Sequence, residues 1–89
     1  MKFKAEITIM PLKALLDPQG KAILNSMKNI GVPEATQVRM GKHITIELET
    51  ENLVMAQEKV ETACKKLLAN PIMEYYEFSV SRVDDDLQQ

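Results

Sequence analysis

Eighty-nine residues, 45% hydrophobic and 27% charged, suit one ordinary globular domain and leave no room for a second. A single cysteine (Cys64) and a single histidine (His43) exclude an internal disulfide and make a poor metal set. A net charge of −2 without a basic block argues against nucleic acid as the main partner.

Residues 2–10 alternate cleanly. Phe3, Ala5, Ile7 and Ile9 share one face, and Lys2, Lys4, Glu6 and Thr8 the other, the pattern of a half-buried strand. Pro11 ends it, and an apolar connection (Leu12, Ala14, Leu15, Leu16) follows. Asp17-Pro18-Gln19-Gly20 then reads as a helix start: Asp17 caps free amides, and proline suits the first helical position because it has no amide to leave unpaired. Ile23, Leu24, Met27 and Ile30 fall on one helical face. Gly31 is placed as the left-handed residue after the helix, and Pro33 blocks continuation.

Residues 36–49 place Val38, Met40, Ile44, Ile46 and Leu48 all at even positions across Gly41-Lys42. A two-residue hairpin there would put His43, Thr45 and Glu47 on the face of Val38 and Met40, so parity excludes it. One long strand bent at Gly41, or a three-residue turn at 41–43, remains. The long strand is preferred, and at about 3.3 Å per residue it would span roughly 40 Å, more than one small domain covers. Residues 51–69 form the second predicted helix, with Thr50 as its cap. Leu53, Ala56, Val60, Ala63, Cys64 and Leu67 are its buried stripe, and Glu61 supports Lys65 one turn on. Asn70-Pro71 stops it, since the residue before proline avoids helical angles. Residues 72–83 alternate again, with Ile72, Tyr76, Phe78 and Val80 inward and Tyr75 outward. The chain is thus a single α+β domain over 1–83 with an acidic tail over 84–89 (Asp84, Asp85, Asp86).

The expected fold is a small sandwich in β-α-β-α-β order. Three antiparallel strands, four if the long one breaks, carry two helices on one face. A chain this short buries only roughly 60–65% of the surface its unfolded form exposes. Disulfide and metal being unavailable, association with other chains is the stabiliser left, and an oligomer is expected. No apolar run approaches the ~18 residues of a membrane span. The chain opens directly into a strand pattern without a signal-peptide core, which, with the lone cysteine, predicts the cytoplasm.

No nucleophile–base pair, glycine-rich phosphate loop or metal-spaced cluster emerges, so no active site of its own is predicted. His43 has no accompanying constellation and reads as an exposed strand histidine. Cys64 reads as a small core hydrophobe. Arg39, Lys42 and His43 around Gly41 make a small basic cluster, either a binder of phosphate or carboxylate on another chain or a solvated bend. Asp84–Asp86 are read as solvated carboxylates rather than a metal site.

Three runs, Leu15-Leu16-Asp17-Pro18-Gln19-Gly20, Val38-Arg39-Met40-Gly41-Lys42 and Lys66-Leu67-Leu68-Ala69-Asn70-Pro71, resemble the PurS subunit family of phosphoribosylformylglycinamidine synthase in order and spacing. Nearly the whole chain is covered. The resemblance implies a non-catalytic subunit of a purine-biosynthetic complex. In that complex a large synthetase subunit (PurL type) uses ATP and Mg, a glutaminase subunit (PurQ type) supplies ammonia, and the small subunit joins the two and aids ammonia transfer. It also implies a homodimer or homotetramer, no cofactor bound by this chain, and assembly roles for Asp17, Pro18, Gln19, Gly20, Arg39, Gly41, Lys42, Leu68, Ala69 and Asn70. Tyr75 stands where the family often has an acidic residue, and the three-aspartate tail is not a family feature. The competing reading is a small-molecule-binding regulatory α+β module.

Overall fold

The computed structural model describes residues 1–83; the acidic tail predicted over 84–89 lies outside them. Five elements follow in the expected order. They are β1 (Lys2–Pro11), α1 (Pro18–Met27) tightened by a 3-10 turn (Lys28–Ile30), β2 (Lys42–Glu49), α2 (Leu53–Ala63) continued by a π turn (Cys64–Leu68), and β3 (Glu74–Val83). β1 is the middle strand. It pairs antiparallel with β2 (Ile7 opposite Ile44, Phe3 opposite Leu48) and with β3 (Ile9 opposite Tyr76, Ala5 opposite Val80).

The alternation read in residues 2–10 becomes the core. Phe3, Ala5, Ile7 and Ile9 are buried, and α2 lays Ala56, Val60 and Cys64 on them. Ile44, Ile46 and Leu48 of β2 and Tyr76, Phe78 and Val80 of β3 flank this row and stay half-buried. The Tyr76 and Phe78 rings stack with centroids 6.3 Å apart. As expected, Tyr75 points to the opposite, outer face.

Two helices are expected on this face, and α2 takes that place; α1 makes no extensive contact with the strands among the described residues and is carried away from the sheet on an arm formed by residues 12–41. The molecule is accordingly flat and extended, 50 × 34 × 15 Å. Its far end is finished as the sequence suggested: Gly31 is left-handed (φ 90°) and the Val32 amide bonds the Met27 carbonyl at 2.9 Å.

The long strand over 36–49 is not formed. β2 begins at Lys42, opposite Ile9, and residues 36–41 return along the arm with neither extended pairing nor a turn at 41–43. The reason is tertiary: the last residues of β1 pair with β3, and residues 38–41 are held by contacts to the start of α1. The start of α2 also differs from the expected Thr50 cap. Its cap is Asn52, whose Oδ1 accepts the Met55 amide at 2.8 Å, while the Thr50 hydroxyl bonds the Asn52 carbonyl. The end of α2 differs as well. The Ala69 amide reaches back to the Cys64 carbonyl at 3.0 Å, and this i→i+5 bond adds a residue to the turn. The stripe therefore slips by one: Leu67 is 81% exposed, and Leu68 and Ala69 reach the core in its place. Ile72, expected inward on the last strand, precedes β3 and is equally exposed, because the turn after Asn70-Pro71 occupies residues 71–73.

Candidate functional site

The three sequence runs, far apart in the chain, meet at one end of the sheet, where β1 ends and β2 and β3 begin. The arm leaves and returns here, so its base brings four backbone segments together, each with donors and acceptors to satisfy.

Asp17 is the first clamp. Its Oδ1 accepts the Gly20 amide at 3.0 Å, which starts α1, and its Oδ2 accepts the Met40 amide at 2.7 Å, 23 residues on. The Met40 and Gly20 amides hold its carboxyl below the ordinary carboxylate range, aided by the nearby Arg39 charge. Pro18 follows at the first helical position, where no amide is missed. Gly20 is buried because the returning strand of the arm lies against it: a Cβ there would stand 2.2 Å from the Val38 carbonyl oxygen. Glycine costs up to about 1 kcal/mol inside a helix, but here the contact with the same chain requires it. Gln19 has an exposed side chain, and its backbone amide adds a smaller contribution to the lowering of the Asp17 carboxyl.

Arg39 is the second clamp. Its guanidinium donates to the Pro11 carbonyl and, at 3.4 Å, to the Lys13 carbonyl, tying the returning segment to the departing one. Gly41 lets the chain pass over the end of β1, since a Cβ there would stand 2.6 Å from the Ile9 carbonyl and 2.2 Å from Met10 Sδ. The third run forms the neighbouring corner. Asn70 Oδ1 accepts the Ile72 amide at 3.0 Å, and the Asn70 carbonyl accepts the Met73 and Glu74 amides. Glu74 returns Oε1 to the Asn70 amide at 2.8 Å and sets Oε2 3.6 Å from Lys42 Nζ, which joins the corner to β2. Leu12 closes the set by donating to the Met73 carbonyl.

The basic cluster expected around Gly41 is not brought together. Arg39 faces the base of the arm, Lys42 pairs with Glu74, and His43 lies on the outer face, its Nδ1 3.4 Å from Thr8 Oγ1 and its Nε2 3.9 Å from Glu6. Cys64 is fully buried. Burial, with Glu61 close by, pushes its thiol up and away from reactivity. Burial also raises the Tyr76 phenol, reinforced by the neighbouring Glu61 carboxylate. Among the described residues no group of three metal-ligating side chains gathers, and no helix is long and apolar enough to cross a membrane.

Glu74 escaped the sequence reading. Its signal was its place four residues after an Asn-Pro stop, where a carboxylate reaches the amides freed by the turn. Asn52 was likewise legible as an alternative cap two residues after Thr50.

A half-covered sheet, an arm clipped on by backbone clamps, and chemistry-bearing side chains spent on those clamps define a small α+β assembly domain. The PurS pattern of phosphoribosylformylglycinamidine (FGAM) synthase matches residues 4–82, and the chain belongs to that family. The phosphoribosylformylglycinamidine synthase subunit PurS of Methanocaldococcus jannaschii is 37% identical over 82 residues, 92% of this chain and 99% of its own. Thermus thermophilus PurS superposes with a TM-score of 0.83 at 36% identity, covering 94% of this chain and 100% of that one. A chain in the structure of PurLQS from Thermotoga maritima gives 0.83 at 33% identity, covering 91% and 99%.

Proposed function

We propose that this chain is the small subunit of a phosphoribosylformylglycinamidine synthase in purine biosynthesis, assembling with a PurL-type synthetase and a PurQ-type glutaminase in the cytoplasm. The match over residues 4–82, joined to a like fold within a PurLQS assembly, carries the reading. On this reading the amidation of FGAR to FGAM occurs on the partner synthetase, which holds ATP and Mg. This chain supports the passage of ammonia from the glutaminase by keeping the partners together. Asp17, Gly20, Arg39, Gly41 and Asn70 serve assembly indirectly, by fixing the angle at which the arm leaves the sheet. Self-association fits the half-covered β2 side of the sheet and the exposed Leu16, Ile30 and Val32 of the arm.

The test is reconstitution. Leaving this chain out of a mixture with its synthetase and glutaminase should abolish glutamine-dependent FGAM formation while ammonia-dependent formation falls less. Unchanged glutamine-dependent turnover without it would overturn the reading.

A further inference from the structure

A groove at the base of the arm is lined by Lys13, Lys21 and Arg39 together with Asp17, Leu16 and Leu24. Asp17 has committed both carboxylate oxygens to the Gly20 and Met40 amides, and among the described residues Arg39 donates to neutral carbonyls. Lys13 and Lys21 are exposed and form no ion pair among the described residues. The groove is therefore cationic, three positive groups against one carboxylate, with apolar walls beside them. The complementary sequence is in this same chain: Asp84-Asp85-Asp86-Leu87, beyond residues 4–82 that the family pattern covers.

The groove of the same copy is out of reach. Val83 pairs with Lys2 at one end of the sheet, whereas the groove opens beyond Pro11, which pairs with Glu74 at the other. The length of β3 puts roughly 30 Å between them, and residues 84–87 extend by about 14 Å at most. We propose that Asp84–Leu87 of one copy docks in the Lys13–Lys21–Arg39 groove of a second copy, carboxylates on the cations and Leu87 against Leu16 and Leu24. Lys2, Lys4 and Arg82 lie nearer the start of the tail and are the competing cations within one copy.

The test uses the full chain. Equal amounts of unlabelled and 15N-labelled protein are unfolded and refolded together, then treated with a carbodiimide that joins touching carboxylates and amines. Trypsin cleavage after Arg82 releases the tail peptide. The expected products are amides from residues 84–86 to Lys13 or Lys21 in mixed-isotope pairs, suppressed at high salt. Links confined to Lys2 or Lys4, pairs of one isotope only, or no tail links would each overturn the proposal. Charge exchange gives an independent measure. A chain carrying Asp84→Lys, Asp85→Lys and Asp86→Lys, and another carrying Lys13→Glu and Lys21→Glu, should each self-associate roughly tenfold more weakly in sedimentation. Mixed, they should recover the parental association, while sedimentation as a simple sum of the two would refute docking. The isolated chain is the reagent throughout, so the result is independent of reconstituted synthase activity.

Discussion

Replacing Gly20 with alanine sets two opposed effects against each other. Gly20 lies in the first turn of α1, where alanine gains up to about 1 kcal/mol of helix propensity. The new methyl would stand 2.2 Å from the Val38 carbonyl oxygen, 2.9 Å from its carbonyl carbon and 2.7 Å from Asp17 Oδ2. Ordinary contact needs about 3.4 Å or more, so the returning segment has to move by over 1 Å. The obstacle is backbone, and that segment is also held through the Met40 amide and the Arg39 guanidinium, so it yields poorly. Overpacking of this kind costs roughly 1–3 kcal/mol. With the helical gain subtracted, the upper part of that range leaves a net loss of about 1–2 kcal/mol. For a chain of this size the loss lowers Tm by roughly 5–15 °C. Urea unfolding of parent and Gly20→Ala at one fixed protein concentration measures it, since self-association would otherwise shift the midpoint. A variant as stable as the parent, or more so, would show that the 38–40 segment gives way freely and that Gly20 is not a packing requirement.

Arg39→Met removes donors from the Pro11 and Lys13 carbonyls, and a loss of about 1–3 kcal/mol of unfolding free energy, read as a lower urea midpoint, is expected. An unchanged midpoint would return Arg39 to a role toward partners alone. The Asp17 carboxyl titrates below its unfolded value, so its contribution is complete above the ordinary carboxylate range and is lost as pH falls through the depressed folded value. The stability gap between parent and Asp17→Asn should therefore be full at pH 7 and shrink below about pH 4; a gap that widens on acidification would contradict the clamp. Leu67→Gln should change stability by no more than about 0.5 kcal/mol, whereas Leu68→Gln should cost clearly more; an uninterrupted α-helix predicts the reverse. Alkylation of Cys64 should be slow in the folded chain and accelerate in step with unfolding by urea, and rapid labelling of the native protein would refute its burial.

Elements whose signals are local were legible in the order of residues alone. The alternation of Phe3, Ala5, Ile7 and Ile9 became the buried row of the central strand, because successive side chains of a strand point to opposite faces. Asp17-Pro18 and Gly31 marked both ends of α1, because caps and left-handed residues are properties of a few adjacent positions. The three motif runs, far apart in sequence, converge at one end of the sheet. What they do there was decided by tertiary structure. The even parity of residues 38–48 suits a long strand equally well, and nothing local says that Gly20 and Arg39 hold residues 38–41 to the arm before a strand can continue. The exchange of Leu67 for Leu68 in the core likewise depends on one extra residue in a turn, which shifts every later side chain without leaving a mark on composition. Asp17 caps α1 as its place before Pro18 implies, yet its second oxygen reaches Met40, and only folding brings residues 23 apart into that bond. Local chemistry fixes what a residue is able to bond; the path of the chain chooses with whom.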